Sequence, residues 1–245
     1  MRRTKKKVNI HVLQLSKKVK AKTIIAGFPG FGLVGTIVTG YLIDHLKTEQ
    51  VGTAWFEELN ATVALHEGKV IHPITIAYDK KNSIIVVSGI TASQGVEWHI
   101  SKHLRELAKL VGAQELITIE GVSSQTPTPS TNTFYYTTNS AKKKLLEKTG
   151  CKQLKEVIIL GVTGALMINP PTTLTTIFTE THSQLPDSKA GAQVIETLDK
   201  YLGLDVDYAP LLKQAEAFEQ KLKTVIQQGV LAQKQSDKKQ ESYIG

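Results

Sequence analysis

Residues 23–35 read TIIAGFPGFGLVG, and the rest of this 245-residue chain is organised around them. A short apolar strand over residues 23–26 ends in a glycine-rich turn, and an apolar helix begins at about Leu33. Glycine adopts positive φ without a steric penalty, which suits a sharp reversal after a strand. The helix carries apolar residues on nearly every face as far as Ile43, which is typical of a buried helix. The stretch therefore predicts a strand–turn–helix unit at the centre of an α/β domain.

The same stretch contains a GxGxxG pattern at residues 30–35. In dinucleotide-binding proteins such a turn holds pyrophosphate at a helix N-terminus, and an acidic residue after the next strand binds the ribose. Glu57 is a candidate for that acid because it follows a strand predicted for residues 51–56. The candidate ligand turn comprises Gly27, Phe28, Pro29, Gly30, Phe31, Gly32 and Gly35.

The alternative interpretation of the glycines is a tight crossover in which Gly35 and Gly40 allow close packing of the helix. We favour packing because Phe28, Pro29 and Phe31 crowd the turn where a phosphate needs bare backbone amides. A glycine pattern by itself is also weak evidence for a nucleotide site.

Composition bounds the class of protein. The length fits one α/β domain with an appended element, and the hydrophobic fraction of 41% is ordinary for a globular chain. No apolar run reaches the roughly 20 residues of a membrane span. The basic residues 1–7 precede no apolar signal-peptide core. The single Cys151 excludes an intramolecular disulfide and suits a reducing compartment, so we expect a cytoplasmic protein.

The net charge of +8 raises the question of a nucleic-acid partner. The lysines and arginines are concentrated in residues 1–7, 17–20, 142–144 and 238–239, and aromatic residues do not alternate with them. We interpret these runs as solvated tails and surfaces, so nucleic acid is an unlikely partner. A partner with an acidic face remains a further alternative.

Strand-like and helix-like segments alternate along the chain, which predicts a mixed, mostly parallel sheet in a three-layer α/β/α sandwich. The predicted strands cover residues 8–13, 23–26, 51–56, 62–65, 74–78, 83–88, 115–119, 134–138 and 156–160. The predicted helices after the first cover residues 94–111, 140–148 and 188–202. Residues 74–88 should form a β-hairpin, and residues 156–160 should be the last buried strand.

A last helix is predicted from Ala209 because Pro210 suits a first helical turn. Its narrow apolar stripe either docks on the body or forms an oligomer face, whose candidate residues are Leu211, Phe218, Leu222 and Val225. We therefore divide the chain into a basic flexible N-terminus (1–7), an α/β domain (8–208), an amphipathic helix (209–232) and a flexible tail (233–245). The tail ends in Tyr243, Ile244 and Gly245.

No catalytic constellation is evident in the sequence. GxSxG, P-loop and CxxC patterns are missing. His99 and His103 share a helix face, but Ile100 stands where a zinc protease has glutamate, and further ligands are lacking. We predict no metal, no cofactor and no enzymatic activity.

Four stretches together resemble the proteasome assembly chaperone family. They are residues 27–35 with Tyr41-Leu42 behind them, Ile119-Glu120-Gly121, residues 161–166 (GVTGAL), and Leu185-Pro186-Asp187 before an alanine-rich helix. The resemblance covers residues 22–202. It implies a phosphorylase-like α/β/α domain without an established catalytic site, in a cytoplasmic homo-oligomer of archaeal type, formed with itself or a paralogue. It also implies binding to proteasome α-subunits or the assembled core particle.

Family members that dock on the proteasome do so through a C-terminal hydrophobic-tyrosine-any-residue motif. Here Tyr243 is third from the end rather than second, and Ser242 precedes it. The resemblance thus makes Tyr243, Ile244 and Gly245 the candidate partner-binding residues. The competing hypothesis is a phosphorylase-like or nucleotide-binding enzyme that uses the turn at residues 30–35 with the hydroxyl-rich loop at residues 123–133 as a phosphate cradle.

Overall fold

A computed structural model describes residues 14–58, 63–66, 68–91, 95–123, 132–181 and 185–213. The strands in these residues are β1 (Gln14–Leu15), β2 (Thr23–Gly27), β3 (Glu49–Ala54), β4 (Ala64–His66), β5 (Lys69–Ile71), β6 (Ile74–Asp79), β7 (Ile84–Gly89), β8 (Glu115–Ser123), β9 (Thr133–Thr137), β10 (Lys152–Gln153) and β11 (Thr173–Thr181). The helices are α1 (Val34–His45), α2 (Glu97–Val111), α3 (Ser140–Lys148), α4 (Gly161–Ile168) and α5 (Ser188–Leu202), and a 3-10 turn (Phe31–Leu33) precedes α1.

The described strands other than β4 and β5 form one mixed sheet in the order β1-β3-β6-β7-β2-β8-β11-β9-β10. Its centre is parallel, because β2 pairs in parallel with β7 and β8, and β8 pairs in parallel with β11. The strands β1, β3 and β6 extend one side by antiparallel pairing, and β9 pairs antiparallel with β11 on the other. The predicted α/β fold class is confirmed, and so is the predicted β6–β7 hairpin.

Two apolar cores cover the two faces of the sheet. Alternate side chains of a strand point to opposite faces, so Ile24 joins the core beneath α2 and α4, whereas Ile25 joins the core beneath α1 and α5. Strand β7 is buried at every position, as expected for a strand covered on both sides. The three layers predicted from the sequence are therefore present.

The predicted strand at residues 156–160 is wrong. These residues adopt no strand conformation, and the side chains of Ile158 and Leu160 are 88% and 79% exposed. The position beside β8 is taken instead by β11, whose sequence TLTTIFTET we did not predict to be a strand. Its threonines are buried in pairs with neighbouring strands, for example Thr176 with Thr118 at 2.8 Å between hydroxyl oxygens. The short strand β5 was also missed.

A buried carboxylate ties α3 and α5 to the centre of the sheet. Glu115 at the start of β8 accepts hydrogen bonds through Oε1 from the Thr175 hydroxyl (2.6 Å) and the Tyr201 hydroxyl (2.8 Å). Its Oε2 lies 2.9 Å from Nζ of Lys142 in α3. The neighbouring carboxylate and burial raise the pKa of Tyr201, burial being the larger cause, so the phenol stays protonated. Removing one partner of such a pair leaves an uncompensated buried charge.

The described part of the chain ends on the core beneath α1 and α5. Residues 209–213 are helical, and Leu211 is only 4% exposed within that core. The side chain of Leu211 therefore packs against its own chain, as in the docking alternative, and the oligomer face stays a prediction. Phe218, Leu222 and Val225 lie outside the described residues. So do Tyr243, Ile244 and Gly245, residues 1–7 and most of the loop predicted at residues 123–133.

Among the described residues, no helix has both the length and the apolar character needed to cross a membrane.

Candidate ligand pocket at the carboxyl edge of the sheet

The glycine-rich turn lies at the carboxyl end of β2, in the centre of the sheet. The backbone leaves β2 at Gly27, makes the 3-10 turn and enters α1 at Val34. Gly32 has φ of +63° and the following Leu33 has φ of +50°, so two consecutive residues are left-handed. Only glycine takes this conformation without strain, which explains Gly32.

The other glycines of the turn allow backbone segments to touch. A Cβ on Gly27 would lie 2.1 Å from the carbonyl oxygen of Gly35, and a Cβ on Gly35 would lie 2.7 Å from the carbonyl oxygen of Phe28. These separations are far below van der Waals contact, so both positions exclude a side chain. A Cβ on Gly40 would meet no atom of the described residues within 4 Å. Within the described part of the chain, the predicted packing role thus holds for Gly35 and not for Gly40.

All four stretches that carried the family resemblance meet at this turn. A Cβ on Gly121 would lie 2.1 Å from the carbonyl oxygen of Phe31, so β8 passes directly beneath the 3-10 turn. The backbone N–H of Asp187 donates to the carbonyl oxygen of Gly32 at 2.9 Å. The Thr163 hydroxyl, in the first turn of α4, donates to Oε1 of Glu120 at 2.6 Å. Segments far apart in sequence therefore build one local structure.

A pocket of about 550 Å³ opens beside the turn, within the volume range of small-molecule sites. The described residues that line it are 28–31, 120–123 and 157–162. Its walls are mainly apolar, and they include Phe31, Val157, Ile158 and Leu160, which are all exposed. The pocket lies at the carboxyl ends of parallel strands, where ligands bind in many open α/β sheets.

Glu120 is the one charged side chain among the described residues that line this pocket. Burial raises the pKa of its carboxyl from 4.5 to about 7, and the hydrogen bond from Thr163 opposes that rise. The carboxyl faces the N-terminal turn of α4, whose free N–H groups favour a negative charge. A carboxyl of this kind is partly protonated at neutral pH, so it can either accept or donate a hydrogen bond.

The same carboxyl occupies space that a phosphate would need at the turn. Oε2 of Glu120 lies 3.2 Å from the position of a Cβ on Gly30, so it faces the GxGxxG backbone directly. An anionic phosphate there would meet a carboxyl oxygen and the ring of Phe31. Glu57 is also badly placed for a ribose, because β7 and β6 lie between β2 and β3 in the sheet. The geometry therefore favours the packing interpretation of the motif over the phosphate cradle.

The remaining candidate side chains lie away from this pocket. His103 is buried, stacks on Phe56 and contacts Oε2 of Glu106 through Nδ1 at 3.1 Å. His99 is partly exposed, and its Nδ1 lies 3.9 Å from Oε1 of Glu58. The described residues contain no cluster of three or more metal-ligating side chains. Burial raises the pKa of the Cys151 thiol to about 11, so this cysteine is a poor nucleophile.

Sequence reasoning missed two components of the pocket. Glu120 was noted only as part of a resembling stretch, although its place directly after a buried strand could have marked it as an edge residue. Residues 157–160 were assigned to a strand because, in sequence, their apolar run looks the same as that of a buried strand. Their exposure depends on where β11 lies, which no local pattern reports.

The sequence profile of the PAC2 family matches residues 24–226. This chain belongs to the PAC2 family. The matched residues include the turn, Glu120, helix α1 that follows the turn and helix α4 that contacts Glu120.

Solved PAC2-like structures share this fold. PbaA from Pyrococcus furiosus, described as an archaeal homolog of proteasome-assembly chaperone, is 28% identical, with a TM-score of 0.80 over 94% of this chain and 98% of its own. PbaB from the same organism, described as an archaeal proteasome activator, is 19% identical, with a TM-score of 0.75 over 87% of this chain and 98% of its own. At that identity PbaB supports the fold alone. The uncharacterized protein MJ0106 of Methanocaldococcus jannaschii is 26% identical over 228 residues, which cover 90% of this chain and 92% of its own.

The resemblance to proteasome assembly chaperones inferred from four short stretches is therefore confirmed at the level of family. It now extends over nearly the whole chain.

Proposed function

We propose that this PAC2 protein is a non-enzymatic, cytoplasmic homologue of proteasome assembly chaperones. In this proposal it acts as a homo-oligomer, or as an oligomer with a paralogue, and binds α-subunits of the proteasome core particle or a related partner. The observation that carries the proposal is the likeness to PbaA, which spans 94% of this chain and 98% of that protein. Likeness over a whole domain is stronger support than a shared motif, although fold alone does not determine function.

The local chemistry is consistent with a binding protein. The turn that most resembled a cofactor site is closely packed, through its own Gly27 and Gly35 and against Gly121 of β8. The nearby carboxyl of Glu120 disfavours phosphate at the turn, which weakens the hypothesis of a phosphorylase-like enzyme. We assign the partner-binding role to Tyr243, Ile244 and Gly245, and an oligomer face to Phe218, Leu222 and Val225.

A pull-down with proteasome α-subunits and assembled core particles tests this proposal. The full-length protein is compared with a truncation that lacks residues 241–245 and with a full-length variant in which Tyr243 is replaced by alanine. We expect the full-length protein to capture core particles, and both altered proteins to lose capture. Such a result would assign docking to the tail even though Tyr243 is displaced from the usual position.

Two further outcomes separate the parts of the proposal. Capture by all three proteins would keep the proteasome role and move the contact to the folded body. Capture by none, with core particles shown to be intact, would overturn the proteasome role. Phosphate or a nucleotide that raises the melting temperature would instead support the enzyme hypothesis, because a ligand that binds only the folded state stabilises it.

A further inference from the structure

We propose that the pocket between the glycine-rich turn, the end of β8 and residues 157–162 binds a small organic cation with an apolar body. The ligand class is an alkyl- or arylammonium, whose charged group pairs with Glu120 and whose apolar part contacts the pocket walls. The proposal is argued from the pocket alone, so it does not depend on the function proposed above.

The shape of the pocket sets the size and polarity of the ligand. A volume of about 550 Å³ accommodates a small molecule rather than a folded partner. Ile158 and Leu160 extend their side chains into solvent at its rim, although neither belongs to a helix or strand. Exposed apolar side chains that lie together beside a groove are typical of ligand-binding surfaces. The walls therefore select a ligand with an apolar body.

The charge distribution sets the sign of the ligand. No lysine, arginine or histidine is among the described residues that line the pocket, so Glu120 has no cationic partner there. Its one hydrogen bond from a described side chain comes from the neutral hydroxyl of Thr163. A carboxylate held among apolar side chains is stabilised by a cation that enters the same space. An anionic ligand would be repelled.

The aromatic rings add a second preference for a cation. Phe28 and Phe31 both line the pocket, but Phe28 is only 7% exposed and belongs to the core beneath α2 and α4. The faces of aromatic rings attract ammonium groups, and the attraction grows when water is excluded. Phe31 is 45% exposed, so its ring is available to a ligand. Glu120 and the ring of Phe31 line the same pocket, so both are compatible with one ammonium group.

Three probes of matched shape test the proposal with the full-length protein. They are 2-phenylethylamine, the neutral 2-phenylethanol and the anionic 3-phenylpropionate, titrated by calorimetry and by ligand-observed NMR at about pH 8. At that pH the Glu120 carboxyl, with its pKa of about 7, is mostly ionised. We expect the amine to bind at least about tenfold more tightly than the alcohol, because hydrogen bonds to charged groups contribute more than neutral ones. The anion should bind most weakly.

Two variants test whether Glu120 causes the preference for the amine over the alcohol. Glu120→Gln keeps the side-chain shape and an oxygen that accepts from Thr163, and it should reduce the ratio of amine to alcohol affinity to about one. The matched control is Glu180→Gln on β11, which removes a carboxylate held by Asn132 outside the pocket lining. This control should leave the ratio unchanged. The melting temperature of each variant verifies that it is folded.

Specific results would overturn the proposal. They are equal affinity of the wild-type protein for amine and alcohol, retention of the amine preference in Glu120→Gln, or no saturable binding of any probe up to roughly 10 mM. A Phe31→Ala variant provides an independent test, since loss of the ring should weaken the amine and the alcohol together. Unchanged affinity of both probes for that variant would also overturn the assignment to this pocket.

Discussion

Glu120 combines a structural and an electrostatic role in one side chain. Its carboxyl accepts the Thr163 hydroxyl at the first turn of α4, and it lies over the backbone of Gly30. Burial raises its pKa to about 7, so the folded protein binds a proton here more tightly than the unfolded chain does. Protonation at this residue is therefore coupled to stability.

This coupling has a definite sign. Below the unfolded pKa of 4.5 the carboxyl is neutral in both states, and its contribution to stability is fully present. As the pH rises through the folded pKa of about 7, that contribution is lost, because a buried carboxylate must then be charged. Relative to Glu120→Gln, we expect the wild-type protein to lose on the order of 2 kcal/mol of unfolding free energy between about pH 5 and pH 8, allowing for partial solvent screening.

Denaturant titrations of both proteins across this range measure the effect. The comparison cancels the titration of all other groups that the two proteins share. A difference in unfolding free energy that stays constant with pH would contradict the raised pKa of Glu120.

At the scale of elements, helix α1 packs closely against the turn because Gly35 has no side chain. Gly35 and Gly40 both lie in α1, but the backbones of Phe28 and Ile119 approach only Gly35, at 2.7–3.0 Å from a Cβ built there. Backbone atoms cannot move aside as a flexible side chain can. Gly35 and Gly40 therefore allow a closely packed glycine to be compared with a less packed one in the same helix.

Alanine substitutions should therefore have opposite effects at these two positions. Gly35→Ala should lower the unfolding free energy by about 1–3 kcal/mol or more, because the new methyl group overpacks the contact between helix and strands. Gly40→Ala should raise it by about 0.5–1 kcal/mol, because alanine is the better helix former and no atom of the described residues lies within 4 Å of the new Cβ. Chemical denaturation measures both. Equal effects at the two positions would contradict the packing interpretation of the motif.

At the scale of the whole molecule, the packed body extends further than the sequence suggested. We placed the boundary between body and C-terminal helix at residue 209, yet Leu211 lies in the core formed with α1 and α5. The hydroxyl of Tyr41 in α1 also donates to the carbonyl oxygen of Asp207. The first turn of the last helix thus belongs to the body.

Adjacent leucines test this boundary. Leu211 is 4% exposed and Leu212 is 36% exposed, and both are in the helical residues 209–213. Leu211→Ala should lower the unfolding free energy by about 2–4 kcal/mol, as expected for a buried leucine. Leu212→Ala should change it by about 0.5 kcal/mol or less. If the two variants were equally stable, the helix would not be docked as described. Sedimentation of the same variants shows whether either change affects the oligomeric state.

Short-range signals in the sequence were sufficient to predict helices α3 and α5. Helices α3 and α5 begin and end where the sequence predicted, at residues 140–148 and 188–202. Asn139 and Asp187 cap their N-termini through side-chain oxygens, and Gly203 ends α5 in the left-handed conformation. Each of these signals is contained within a few residues, so the sequence alone carries it.

The candidate site could be predicted only in part. The turn at residues 27–35 and the stretch around Glu120 were both identified as distinctive, and so were residues 161–166. Their contact with one another was not predicted, because it follows from the parallel pairing of β2 with β8 and from the position of α4 over that edge. The raised pKa of Glu120 depends on burial, which no neighbouring residue in sequence reports.

The amino-acid sequence by itself indicated the family through the resemblance of four stretches. It also determined the α/β class and the strand–turn–helix unit, because these two rest on local periodicity and on the placement of glycines. Only the tertiary structure determined which segment is buried as the strand beside β8. Residues 156–160 were predicted to be the last buried strand, but the position beside β8 is taken by β11, which pairs with both β8 and β9. Long-range pairing buries the threonines of β11 and leaves residues 157–160 exposed at the pocket, a choice between distant segments that short-range patterns do not contain.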